Sequence, residues 1–378
     1  MSAFRRALSA ELRHLRHDRW DLAMLTLMPA ILLFVMAAML SGGVARDLPI
    51  AVVDEDGSSA SRAIIRAVDA SPAVRVQGTS SDMAQAMQRI RREQAWAILQ
   101  IPRGVGAGLA RGQTPAIRIL YQAGFLSTGT QALRGIGDAI TAATAGLLGG
   151  QLSGHGLPPI RTTPLTVQAT ALYNAATSFE WYLTALVDPA VLHLLTACVT
   201  VMAVGRELRS KSLAAWARAS GGVVPALAGK LLPYVAACSL WGMAWLLYLT
   251  LGRGWRVDGS MALIVAGQSL FYAATACIST LLVAITRETA TGLSASAVYA
   301  GSALAFSGAT LPLEGGSLFA RVWSAILPLT HYIALQMGQF SGAYAAAALA
   351  PLACLAAYVV IAGGGAALLI GRSARRAA

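Results

Sequence analysis

Apolar residues fill long uninterrupted stretches of this chain, and charged residues fall in short blocks between them. The first stretch, residues 22–40, follows a head carrying Arg5, Arg6, Arg13, Arg16 and Arg19. Five more lie near 181–204, 224–251, 261–286, 290–311 and 344–370. Each meets the roughly 20 apolar residues that a helix needs to cross a bilayer. A cleaved export signal is the competing reading of the first stretch, but its apolar core and basic head would both be shorter. Arg5-Arg6 is followed by Ala7 and Leu8, which does not fit a twin-arginine signal. The pattern predicts an uncleaved first span, six spans in all, and both termini on one side.

Residues 44–180 follow another rhythm. Short strand-like runs at 49–53, around Val74 and Val76, at 95–101 and at 116–121 alternate with helix-like ones. Residues 58–69 place Ile64, Ile65 and Val68 inward, and 81–92 place Met83, Met87 and Ile90 on one face. Such alternation marks a compact α/β or α+β unit. A long helix from 126 to about 152, with Leu133, Ile136, Ile140 and Leu147 at helical spacing, ends at the Gly- and Pro-rich 153–164. The predicted fold class is an α-helical polytopic membrane protein, six transmembrane helices with an inserted α/β (α+β) extracytoplasmic domain. Its divisions are a basic segment 1–21, a first span 22–41, the inserted domain 44–180, a five-helix part 181–371 and a tail 372–378.

Composition supports a membrane rather than a nucleic-acid reading. Hydrophobic residues make up 56% and charged residues only 12%, half the usual soluble share. The excess of 29 basic over 17 acidic residues gives +12. A nucleic-acid reader would gather that charge on one hydrophilic face; here it sits between spans and reads as an orientation signal. With the N-terminus inside, the short cytoplasmic regions hold fourteen basic residues, against Arg253, Arg256 and Arg321 outside. Both termini are therefore expected to be cytoplasmic. Cys198, Cys238, Cys277 and Cys354 lie in apolar runs without metal-like or paired spacing.

The chemistry of an enzyme is missing. Gly205 to Ser212 is the nearest approach to a phosphate loop, but Ser210 stands where the second glycine must let backbone amides wrap the phosphate. ATP would have to be hydrolysed elsewhere. His14 and His17 read as solvated, His155 sits in a linker, and His193 and His331 have no catalytic company. Asp188, followed by Pro189, falls within a predicted span. An intramembrane functional carboxylate and a carboxylate near the outer interface are both open readings.

The segment 205–222 carries the most specific signal. It reads as a short amphipathic helix with Leu213 and Trp216 on one face and Arg209, Lys211 and Arg218 polar, closed by Gly221-Gly222. A lipid-surface helix and a lever docking into a partner protein both fit that pattern.

Arg206-Glu207, this helix, Gly229-Lys230 and Pro233-Tyr234 occur in the order seen in permease subunits of type-2 ABC exporters, which the chain resembles. Leu172-Tyr173-Asn174, Ser307-Gly308, Leu311-Pro312-Leu313 and 328–332 resemble further signatures of that family. Residues 53–56 with Ser61-Arg62 look like the start of its large external domain, between the first and second spans. The resemblance departs after Arg-Glu, where Lys211-Ser212 and Ala215 replace the Gly-Thr-x-Glu often found in the family.

The resemblance implies a subunit without a cofactor of its own, ATP and Mg residing on a cytoplasmic ABC ATPase. A second permease copy or paralogue would complete the transporter, in a bacterial inner membrane. It implies coupling to the ATPase through Arg206, Glu207, Arg209, Lys211, Trp216 and Lys230. An outer re-entrant region 308–332 would hold the gate candidates Pro312, Glu314, Pro328 and His331, with a surface-lying helix as the competing reading. The cargo would be hydrophobic or amphipathic, and the external domain could receive it or dock a periplasmic adaptor. Membrane lipid is the other expected partner, and nucleic acid is not one. The rival class is a non-transporting scaffold that transmits force or signal to an external partner.

Overall fold

The computed structural model describes residues 3–41, 46–111, 113, 115–122, 126–154, 178–209, 216, 222–310 and 317–376. The chain divides into two compact units, Val44–Thr170 and the remainder, Met1–Gly43 with Ala171–Ala378.

In the larger unit, α1 (Ala3–His17) and α2 (Arg19–Leu40) meet at Asp18, whose carboxylate accepts the backbone N–H groups of Trp20 and Asp21. That pairing satisfies donors a helix start leaves orphaned and makes Asp18 the N-cap. Of the segment 1–21, read as a basic head, residues 3–21 are thus a helix and the start of the next. Helix α7 (Phe179–Arg209) follows the inserted unit and runs for 31 residues, about 46 Å at 1.5 Å per residue. It continues unbroken through Arg206 and Glu207 and ends at Arg209; of the helix expected over 205–222, residues 210–215 and 217–221 lie outside the described residues.

Helix α7 contains Pro189, which has no N–H to offer the carbonyl of Ala185. Gln336 fills that gap, donating from its amide nitrogen to Ala185 O at 2.7 Å. Helix α8 (Val223–Leu247) closes in a π turn, Tyr248–Gly252. Helix α9 (Met261–Thr286) ends on Arg287, held at φ 55, and reverses into α10 (Thr289–Ala303). The buried positions of α10, Thr289, Gly292, Ser296, Ala300 and Ala303, are all small. Such a face lets backbones approach closely in lipid, and a Cβ on Gly205 of α7 would come within 2.4 Å of Thr289.

Helices α11 (Leu318–Ile326) and α12 (Pro328–Phe340) are bent by 80° where the chain passes through Leu327. Helix α13 (Leu349–Arg376) ends the fold. Among the described residues, five helical stretches are long and apolar enough to cross a membrane, and the bent pair makes a sixth if counted as one. The span expected at 290–311 is not among them. Its helix stops at Ala303 after 15 residues, about 22 Å, and the chain then turns at Gly308, held at φ 77.

Between α2 and α7 the smaller unit carries β1 (Leu48–Asp54), α3 (Ser59–Asp69), β2 (Val74–Ser80), α4 (Met83–Arg91), β3 (Ala97–Ile101), α5 (Val105–Ala110), β4 (Arg118–Tyr121) and α6 (Leu126–Gly154). The sheet order is β2-β1-β3-β4, the first three parallel and β4 antiparallel to β3. Alternation along β1 sends Ile50 and Val52 to a core shared with Ile64, Val68 and Ile136, while Ala51 and Val53 meet Ala86 of α4 on the other face. Asp56 accepts the backbone N–H groups of Gly104 (2.7 Å) and Gly106 (2.9 Å), tying the β1 loop to the start of α5. The Ser58 hydroxyl, with these amides, holds its carboxyl below the usual range against the opposing effect of burial.

Candidate functional site

The residues of the Arg206-Glu207, Gly229-Lys230 and Pro233-Tyr234 motifs converge at one end of the bundle on a residue that the sequence reading missed, Glu11. Lys230 Nζ donates to Glu11 Oε2 at 2.8 Å and to Glu207 Oε1 at 3.0 Å. Tyr234 Oη donates to Glu11 Oε1 at 2.6 Å. Arg206 pairs with both Glu11 and Asp21 and donates to Tyr234 Oη at 3.2 Å. Asp21 also faces His14 Nε2 at 3.1 Å, so His14 is partnered rather than solvated.

Helix geometry explains the convergence. Lys230 and Tyr234 are four residues apart on α8 and so share a face. Glu11 and His14 share one on α1, with Ala7 and Leu15 buried alongside. The two helices touch at Gly229, where a Cβ would stand 2.8 Å from Ala7 Cβ and from Phe4 O. Glycine is therefore required for α1 to come close enough for Glu11 to reach Lys230.

Both side chains are nearly closed to solvent, Lys230 at 3% and Glu11 at 6% exposure. Burial by itself would raise the Glu11 carboxyl. The Lys230 charge and hydrogen bond, the Tyr234 hydroxyl and Arg206 outweigh it, and the net shift is downward. Removing any one partner would leave another charge buried without compensation.

The Lys230 ammonium also lies 5.8 Å from the centre of the Trp216 ring, within cation–π range. Trp216 is half-buried and packs with Leu208 and Val223 against a core that includes Val204, Leu227 and Ile370. Lys230 thus touches Glu11 of α1, Glu207 at the end of α7 and Trp216 between α7 and α8. The arrangement contains no nucleophile poised against a base. What it provides is a rigid electrostatic joint, through which a displacement of the α7–α8 segment would be felt by three helices at once.

Other anticipated residues are dispersed. Arg209 lies at the end of α7, while Lys211, Pro312 and Glu314 fall outside the described residues. Pro328 is buried at the first turn of α12, and His331 is half-buried with Nε2 3.0 Å from Ala325 O. Asp188 is inside the bundle at 3% exposure and near neither group. His14, Asp18 and Asp21 form the one metal-like grouping among the described residues. Arg206 already occupies Asp21 there, and the Asp18 carboxyl, held low chiefly by the Asp21 backbone N–H, serves as a helix cap.

The family model described as ABC-2 family transporter protein matches residues 19–368. The chain belongs to that family. No curated protein and no solved structure matches it. As an ABC-2 transporter component the chain is a multi-pass membrane protein of the permease type, and the family implies an ATPase partner in an ABC transporter. In this ABC-2 chain, the sequence signal that could have revealed Glu11 is the spacing of Phe4, Ala7, Leu8 and Leu15, a helical face into which a single acid intrudes.

Proposed function

We propose that this chain is the permease subunit of an ABC exporter and moves a hydrophobic or amphipathic cargo out of the cytoplasm or inner leaflet. It sits in a bacterial inner membrane with both termini cytoplasmic, paired with a second permease copy or paralogue. The Glu11–Lys230–Arg206 network carries the reading, because it joins α1, α7 and α8 at the end of α7, beside Trp216. The ATPase docks on that segment, with Trp216 giving contact area and Arg206, Glu207, Arg209, Lys211 and Lys230 transmitting its motion.

A push at this end travels along α7, which Gln336 ties to α12, and so reaches the bent pair α11–α12. Irregular backbone at membrane depth persists where protein or a cavity shelters it, and that makes 308–332 the gate, with Pro312, Glu314, Pro328 and His331 upon it. The inserted unit faces the extracytoplasmic side and receives cargo or an adaptor.

The test is tagged purification of the full chain from its own membranes in mild detergent, with mass identification of retained proteins. A co-purifying P-loop ATPase supports the reading, and Trp216→Ala should reduce its recovery. Recovery of no ATPase would favour the scaffold reading instead. If an ATPase is recovered, cargo-stimulated ATP hydrolysis in proteoliposomes separates exporter from scaffold.

A further inference from the structure

Asp188 lies eight residues into the span Glu180–Leu208, about 12 Å along α7 from Glu180. It is 3% exposed, and its Oδ1 has no hydrogen-bond partner. A buried carboxylate is costly unless a cation or several donors compensate it, and ionisable groups inside spans are functional by default.

The surroundings supply no cation, and the titratable groups beside Asp188 on the cavity lining are Tyr272 and Tyr332. Asp188 borders an internal cavity of about 10 Å³, together with Trp245 of α8, Gln268 and Tyr272 of α9, and Tyr332 and Gln336 of α12. No Lys, Arg or His is among the groups around this cavity. Gln268 donates one amide N–H to Ser239 O at 3.0 Å, and Gln336 donates one to Ala185 O, so each amide has one donor engaged elsewhere. Thr184, one turn before Asp188 on α7, gives its hydroxyl proton to Glu180 O. The nearest ionic pair toward the Glu180 end, Glu180 with Arg253, is complete and does not line the cavity.

One further orphan lies on the same wall. Trp245 Nε1 is buried without an acceptor. Two residues that each carry an unpaired polar atom, an acceptor and a donor, thus line a cavity about as large as one water requires. A metal cation fits poorly, since it needs several converging oxygens and Asp188 is the one carboxylate on the lining.

We propose that Asp188 is an intramembrane proton-binding site, completed by one internal water that bridges Asp188 Oδ1 and Trp245 Nε1–H. The carboxylate takes one proton from bulk water and becomes a neutral carboxylic acid. The bridging water accepts the indole N–H and donates to Oδ1. Loaded in this way, the seam where α7, α8, α9 and α12 meet carries no net charge and stays closed. Release of the proton returns a carboxylate to that seam, which then hydrates and loosens the hold of α7 on α12. The loaded site therefore keeps the seam between α7 and the bent pair neutral, independently of the Glu11 network and of what the transporter carries.

The test is difference infrared spectroscopy on the full chain in lipid nanodiscs. A protonated carboxylic C=O band should persist at pH 8 and disappear in Asp188→Asn, a near-isosteric change that keeps the seam neutral. In Trp245→Phe the band should remain but shift, because the water loses one anchor. The proposal is overturned if no such band exists at pH 8, or if the band survives Asp188→Asn. It is likewise overturned if Trp245→Phe leaves the band unmoved, or if sodium in place of choline abolishes it, which would make the bound cation a metal.

Discussion

Lys230 Nζ stands 2.8 Å from Glu11 Oε2, across 219 positions of chain, with both side chains nearly closed to solvent. This contact turns the amphipathic N-terminal helix from a surface appendage into part of the bundle. A buried pair of this kind adds little net stability over an apolar pair, but breaking it strands a charge. Glu11→Ala should therefore destabilise the protein by about 3 kcal/mol, the lower end of the range for such losses, because Glu207 still serves Lys230. Pairing Glu11→Met with Lys230→Met should recover much of that loss. Thermal unfolding of the two single variants and the double variant in detergent checks this, and simple additivity would show that the two residues are not coupled.

Acid should act on the same contact. The Glu11 carboxyl is held below its ordinary value of 4.5 in the folded protein. A depressed carboxyl contributes stability that is fully present above the unfolded value and lost as pH falls through the folded one. Unfolding midpoints measured from pH 7 down to pH 3 should hold steady and then fall below about 4.5, the unfolded value. In Glu11→Gln the protein should start less stable and lose less on acidification. An identical acid limb in both proteins would remove Glu11 as its source.

Gly229 sets the separation between α1 and α8. A methyl group there meets the Phe4 carbonyl and Ala7 Cβ at 2.8 Å, distances that backbone atoms cannot relieve by changing a rotamer. Gly229→Ala should cost about 1–3 kcal/mol, as overpacking does, and should part Glu11 from Lys230. Maleimide labelling of Ala7→Cys, which lies in the contact, should speed up in the Gly229→Ala background. Unchanged labelling would mean that α1 tolerates the shift in place.

The spans 22–40, 224–251 and 261–286 are legible because length and apolarity suffice to define them. The strand and helix periods between 49 and 140 reappear at β1 to β4, α3, α4 and α6 for the same reason, while α5, with Gly106 and Gly108 in six residues, has no period to read. The run 290–311 misleads because hydropathy ignores the turn at Ser307-Gly308. Helix α1 is hidden by its arginines. The Arg-Glu, Gly-Lys and Pro-Tyr motifs are visible as a series, but their meeting place is not, since Glu11 and Asp21 reach Arg206 across 195 and 185 positions. Asp188 beside Pro189 reads equally as an interface and an interior residue until α8, α9 and α12 are seen around it.

Pro189 and Gln336 give the most selective prediction, because one substitution should repair the other. Proline at 189 leaves Ala185 O without its helical donor, and Gln336 supplies one from α12. Gln336→Leu removes that donor and should cost about 1 kcal/mol, in keeping with the modest worth of interhelical hydrogen bonds in bundles of this kind. Pro189→Ala alone restores an N–H within α7, so the helix no longer needs Gln336, and the glutamine amide loses its acceptor instead. Pro189→Ala with Gln336→Leu pairs every group again and removes the orphan amide. The double variant should therefore be more stable than the Gln336→Leu single variant in detergent unfolding. It should also loosen the tie between α7 and α12, seen as faster hydrogen exchange at 328–340. A double variant no more stable than Gln336→Leu would show that the proline leaves no unmet carbonyl at Ala185.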